Sequence, residues 1–224
     1  MGFKPAVSLT EQIADHLSSE IITGRLAPTE RIQELKIAKD LGVSRGSVRE
    51  ALLILEGRHL IDIVPRRGAM VSALDADGVE GLLELAADLV TLLFQRVAQR
   101  IADAENGTMK PLNSLVESLG RSLDEDDDSF VNAKFEFVEA AYPLAENPYL
   151  SDVLEHLLPA VHRVAQRASA HPSYDRRDTL RLAKGLLEAI REQQPERIED
   201  LVHGHFRRER QLASDANAAS TATH

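Results

Sequence analysis

From the eighth residue onward, Leu9, Ile13, Leu17 and Ile21 recur at every fourth position, the spacing that gathers apolar side chains on one helix face. This predicts a helix over residues 8–23, with Ser8 and Glu11 at capping-box spacing and Gly24 as its stop. A turn with Pro28 follows, then a short helix over 33–41, weakly capped by Gln33 and ended by Gly42. A third helix is predicted over 44–58 behind Ser44, a favourable N-cap. Its residues Val48, Ala51, Leu52 and Leu55 keep the i, i+3, i+4, i+7 pattern and face the core. Two β-like stretches, 60–64 and 69–73, flank Pro65-Arg66-Arg67-Gly68, a Pro and a Gly bracketing a tight hairpin tip. Helix, helix–turn–helix and hairpin, in that order, describe a winged helix-turn-helix.

Beyond residue 75 the pattern is helical throughout. Val79, Leu82, Leu83, Ala86, Leu89, Val90, Leu93, Val97 and Ile101 sustain one long helix, which Asn106-Gly107 ends. Further helices are predicted over 111–123, 130–145, 150–168, 175–193 and 195–213. In the third of these five, Val153, Leu154, Leu157, Val161 and Val164 align, and Pro159 introduces a kink. The acidic run 124–128 reads as a solvated linker between helices; it lacks the alternation, central Gly and closing Glu of an EF-hand loop. Residues 214–224, rich in Ala, Ser and Thr without periodicity, are expected to be disordered. The fold class is therefore mainly α: an N-terminal winged helix-turn-helix over 1–74 and a C-terminal all-helical bundle of about six helices over 75–213.

Composition narrows the partners. The absence of cysteine excludes disulfides and thiolate metal sites. Apolar runs such as 51–55 fall far short of the ~20 residues of a membrane span. No basic-then-apolar leader is evident, so a cytoplasmic location without membrane partners is expected. The net charge of −10 argues at first against nucleic acid, but the charge is unevenly placed. Residues 1–74 hold 10 of the 26 basic and 9 of the 36 acidic residues, a net of +1, which leaves −11 for the rest. Between residues 42 and 70, Arg45, Arg49, Arg58, Arg66 and Arg67 face only Glu50, Glu56 and Asp62.

Arg45, Gly46 and Arg49 fall within an arc of about 100° on the third helix, clear of its apolar stripe. A helix fits the major groove of duplex DNA, where an arginine bonds guanine O6 and N7 together. Ser44 and Ser47, beside the amides of the helix N-terminus, suit phosphate contacts that set register. Gly46 permits close approach, while Arg66 and Arg67 at the hairpin reach a neighbouring minor groove with Gly68 beneath them. Glu50 is expected to form an internal salt bridge with Arg49 or Arg58, and His59 to close the helix.

The segment Gly42-Val43-Ser44-Arg45-Gly46-Ser47-Val48-Arg49-Glu50-Ala51-Leu52 resembles the recognition helix of the GntR family of bacterial transcription regulators. The likeness extends upstream through 21–41 and downstream through Leu55-Glu56, Leu60-Ile61 and Arg67-Gly68-Ala69-Met70-Val71. The helical half is similar to the FCD domain of the FadR-like subfamily. Asn132-Ala133-Lys134-Phe135-Glu136 stands where that domain has Asp-x-x-Phe-His, followed by Asn147-Pro148-Tyr149-Leu150, Leu187-Glu188-Ala189-Ile190 and His205-Phe206.

Many FCD domains hold a divalent metal with an Asp and three His beside a carboxylate ligand. The resemblance puts Asn132, Glu136, Ala183 and His205 at those positions, and Ala86 where many members have an arginine. Only His205 keeps its identity, so no metal or other cofactor is expected. Asn132, Glu136 and His205 are weak metal candidates and the candidates for an effector pocket, either as a buried hydrogen-bond network or as direct ligand contacts. His203, two residues from His205, points elsewhere.

Nucleophile elbows, phosphate-binding glycine loops and His-Glu-x-x-His patterns are missing, so the chain is not expected to be an enzyme. The resemblance implies a sequence-specific transcription regulator, more often a repressor than an activator. It implies a homodimer on a palindromic double-stranded DNA operator, with a helical domain that senses a small metabolite such as an organic acid. A constitutive dimeric regulator without an effector is the alternative, and a metal-dependent hydrolase is a third reading from another class.

Overall fold

Ser8 caps the first helix as its spacing predicts: its Oγ accepts the Glu11 N–H, and the Glu11 carboxylate accepts the Ser8 N–H. The computed structural model describes residues 8–73, 75–103 and 109–221. It separates the chain into two compact units, Met1–Leu74 and Asp75–His224.

In the first unit, α1 (Leu9–Ile22) packs on α3 (Arg45–Gly57), with the short α2 (Glu34–Asp40) against α3. Ile13, Leu17 and Ile21 meet Val48, Ala51, Leu52 and Leu55 in one core. Leu9 departs from the predicted face and is half exposed at the first position of α1. Gly24 and Gly42 adopt left-handed backbone just after their helices, which glycine does at little cost. His59 also has positive φ, its N–H bonding Glu56 O while Leu60 N–H reaches Leu55 O. It therefore ends α3.

The wing is the antiparallel pair β1 (Ile61–Val64) and β2 (Gly68–Val71), in register Ile61↔Val71 to Val64↔Gly68. Residues 29–32 run alongside β2. Thr29 N–H donates to Val71 O, Val71 N–H to Glu30 O and Ile32 N–H to Ala69 O, each at 2.9 Å. The sequence pattern showed only a turn there, since four residues are too few to carry a strand period.

The second unit is built from α4 (Ala76–Asp103), α5 (Lys110–Arg121), α6 (Asp127–Glu139), α7 (Tyr142–Ala145), α8 (Pro148–Ser169), α9 (Arg176–Arg191) and α10 (Pro195–Thr221). The helices α10, α8, α9 and α7 all pack against α4. The predicted Asn106-Gly107 stop lies outside the described residues.

Several expectations need correcting here. The acidic run is structured: Asp126 caps α6 by accepting the Ser129 N–H, and Asp127 and Asp128 form its first turn. Carboxylates there interact favourably with the helix dipole. The helix predicted over 130–145 breaks after Glu139 and restarts at α7, where Pro143 sits in the first turn. Val153 is half exposed although it shares a face of α8 with the buried Leu157, Val161 and Val164, because burial along that line of residues begins only at Leu157, beyond the first turn. The last helix continues through Thr221, beyond the expected end of order near Ser214. Alanines extend a helix already nucleated upstream more readily than they start one.

Candidate functional site

Ser44 caps α3 in the first unit, its Oγ accepting Ser47 N–H at 3.0 Å and lying 2.9 Å from Ser47 Oγ. Arg45 and Arg49 leave the next turn with side chains 56% and 64% exposed. Both lean toward Glu34 of α2. Arg49 Nε donates to Glu34 Oε2 at 2.9 Å, and Arg45 Nη2 lies 3.9 Å from the same oxygen. This corrects the expected role of Glu50, which instead accepts a hydrogen bond from Thr10 Oγ1 at 3.2 Å and so joins α3 to α1. Arg58 pairs with Asp15 at 2.8 Å and bonds Ser18. Glu34 was missed because its partners are set by how α2 meets α3, which no local spacing reveals.

Gly46 lies between the two arginines, exposed, and an added Cβ would meet only Ser44 Oγ, at 3.6 Å. Among the described residues nothing packs closely enough to require glycine there, and glycine is a poorer helix former than alanine. The bare backbone faces outward, where a partner can approach.

The wing carries a second exposed basic group. Arg66 adopts positive φ at the hairpin tip, Arg67 N–H bonds Val64 O, and both side chains are exposed. Gly68 has φ +85, a conformation that L side chains rarely adopt. The Arg31 guanidinium lies beside it, its Nη2 3.9 Å from where a Cβ would stand. Arg31 thus adds a third cation near Arg66 and Arg67. The pairing of residues 29–32 with β2 places it there.

In the second unit, α6 turns Phe130, Val131, Lys134 and Phe137 inward, and Asn132 and Glu136 outward to solvent. This corrects the effector-pocket assignment of those two residues; of the three candidates only His205 reaches the interior. The reason lies in α6 itself, which is apolar on so many positions that sequence alone does not fix which polar residue turns in.

A cavity of about 40 Å³ opens among α4, α5, α6, α8, α9 and α10, lined by Val90, Phe94, Ala183, Lys134 and His205 among others. Lys134 is ion-paired with Glu209, and His205 Nε2 lies 3.5 Å from Glu209 Oε1. The carboxylate is 1% exposed. Burial pushes Glu209 up, but Lys134 and His205 outweigh it and hold the acid below its ordinary range. Burial lowers His205 to about 4, with Glu209 opposing and Lys134 assisting. His162, stacked on Phe135 at 4.2 Å, is lowered to about 4 by burial and then Lys134.

A divalent metal does not fit this set. Among the described residues no three His, Asp or Glu side chains converge. The Lys134 ammonium already occupies the carboxylate that a cation would need.

Comparisons with known proteins agree with both halves. Residues 9–71 match the family "Bacterial regulatory proteins, gntR family", and residues 81–208 match the FCD domain. The chain is 28% identical over 200 residues to an uncharacterized HTH-type transcriptional regulator, YdhC, of Bacillus subtilis, covering 87% of this chain and 86% of that one. It is 25% identical over 201 residues to the galactonate operon transcriptional repressor of Escherichia coli, covering 82% and 87%. Its fold is similar to that of E. coli McbR/YncC, with a TM-score of 0.75, 21% identity and coverage of 94% and 99%.

Proposed function

The chain belongs to the GntR-type bacterial regulators that carry an FCD domain, and from that premise we propose how its residues serve DNA binding and sensing. It is a DNA-binding transcription regulator, not an enzyme. Arg45 and Arg49 enter the major groove, with Ser44 and Ser47 holding phosphates and Gly46 allowing close approach. Arg66, Arg67 and the backbone at Gly68 take the adjacent minor groove. The observation that carries this reading is the exposed pair of guanidiniums one turn apart at the start of α3, on a unit whose charge is not negative.

Two copies act together on a palindromic operator, in the cytoplasm, as a repressor. In α4, Leu85 and Leu92 are exposed and Leu82 and Leu89 half-buried, spaced by three and four residues as in a helix–helix seam. Among the described residues no helix is long and apolar enough to cross a membrane. A small molecule entering the cavity of the helical unit shifts the balance between DNA-competent and incompetent states, provided its affinity for the two differs. The apolar cavity among the helices supports this reading over a constitutive dimer.

Genomic footprinting with the full chain, followed by anisotropy titration of the recovered site, tests the assignment. Arg49→Ala is expected to weaken operator binding about 5- to 150-fold, the ~1–3 kcal/mol of one bidentate base contact. Unchanged affinity at fixed salt refutes it.

A further inference from the structure

The cavity in the helical unit has a charge balance that restricts what it can bind. Its walls are almost wholly apolar, and Lys134 and His205 are the ionisable side chains that line it. Lys134 is committed to Glu209, so its charge is already matched. His205, 10% exposed at its side chain, has Nε2 buried without a hydrogen-bond partner among the described residues, as has Oε2 of the adjacent Glu209. Thr179, the other polar residue on the wall, shares its hydroxyl with Tyr174 at 3.3 Å. Buried polar atoms left unpaired are destabilising and are normally met by a partner.

We propose that the ligand of this cavity is a small uncharged molecule, apolar over most of its surface, whose single hydroxyl or amide group hydrogen bonds to His205 Nε2. The proposal rests on the sensing reading above and departs from the organic acid that the family resemblance implies. A carboxylate brought here would be desolvated against Lys134, whose positive charge Glu209 already neutralises, and beside an imidazole that burial keeps neutral. An amine would meet the Lys134 ammonium. A neutral group that both donates and accepts satisfies the imidazole in either tautomer. The volume, about 40 Å³, holds roughly three water-sized units and sets the ligand at a few non-hydrogen atoms.

The test is thermal unfolding of the full chain with propanol, propionamide or propionate, each at millimolar concentration, with and without zinc. Propanol or propionamide is expected to raise Tm by about 3–6 °C at ten times its dissociation constant, and propionate to leave it unchanged. His205→Phe should abolish the rise. Titration of the wild-type protein followed by the His205 imidazole ¹⁵N resonances gives a second reading that does not depend on the variant folding. Stabilisation by propionate but not by propionamide overturns the charge assignment and leaves sensing intact. A rise that survives His205→Phe, with the imidazole resonances unmoved, overturns the site. Stabilisation by none of the probes in either metal condition, with those resonances also unmoved, overturns this proposal and removes the support for sensing at the cavity.

Discussion

Arg49 is held by Glu34: its Nε donates to the carboxylate at 2.9 Å, and the same oxygen stands 3.9 Å from the Arg45 guanidinium. One acid on α2 therefore restrains both cations of α3 and lowers their field. Glu34→Gln should change stability by less than about 1 kcal/mol, since exposed pairs contribute little. Binding to random-sequence DNA should tighten several-fold, while the operator's advantage over it narrows. Anisotropy with both duplexes at fixed salt measures the ratio, and an unchanged ratio counts against an orienting role.

Gly46 separates folding from binding. Among the described residues an added methyl meets nothing closer than 3.6 Å. Gly46→Ala should stabilise the first unit by about 0.5–1 kcal/mol and yet weaken operator affinity. Urea unfolding and DNA titration of the same variant check both halves. A variant both more stable and equally tight would show that DNA does not approach this face closely.

The buried ion pair predicts a strong asymmetry between single and double changes. Lys134→Met leaves the Glu209 carboxylate buried without its cation and should cost about 3–5 kcal/mol. Lys134→Met combined with Glu209→Leu should recover most of that loss. Chemical denaturation of the three proteins decides, and additive losses would contradict the pairing.

Acid should weaken the helical unit before ordinary carboxylates titrate. Burial holds His162 and His205 at about 4, against 6.5 for the free side chain. Their folded pKa lies below the unfolded value, so between the two the unfolded chain binds more protons and stability falls as pH drops from about 6.5 to about 4. Glu209, held below its ordinary value, adds a further loss at lower pH. Denaturation midpoints at pH 7.5 and 5 should differ in the wild type, and less so in His205→Phe. A flat profile would be incompatible with two buried neutral histidines.

The DNA-binding unit was largely legible because its signals are local. The Ser8 and Ser44 caps, the α3 stripe and the hairpin each occupy a few consecutive residues, and each formed where its chemistry required. The helical unit was less so. Periodicity located its long helices, but on α6 apolar side chains surround the axis, and which polar residue faces inward depends on neighbouring helices. Lys134 does so, and Asn132 and Glu136 do not. The Glu34–Arg49 bond and the strand-like course of residues 29–32 escaped notice for the same reason: each is decided by tertiary pairing.

That stitching of residues 29–32 onto β2 has a mechanical result. The chain leading into α2 and the wing are fastened together, and α2 in turn holds the α3 guanidiniums through Glu34. In the proposed DNA contact, the offset between the bases offered to α3 and those offered to the hairpin is thereby built into this unit. On that reading substitution retunes the offset, while any signal passed from the helical unit acts on α2, α3 and the wing together.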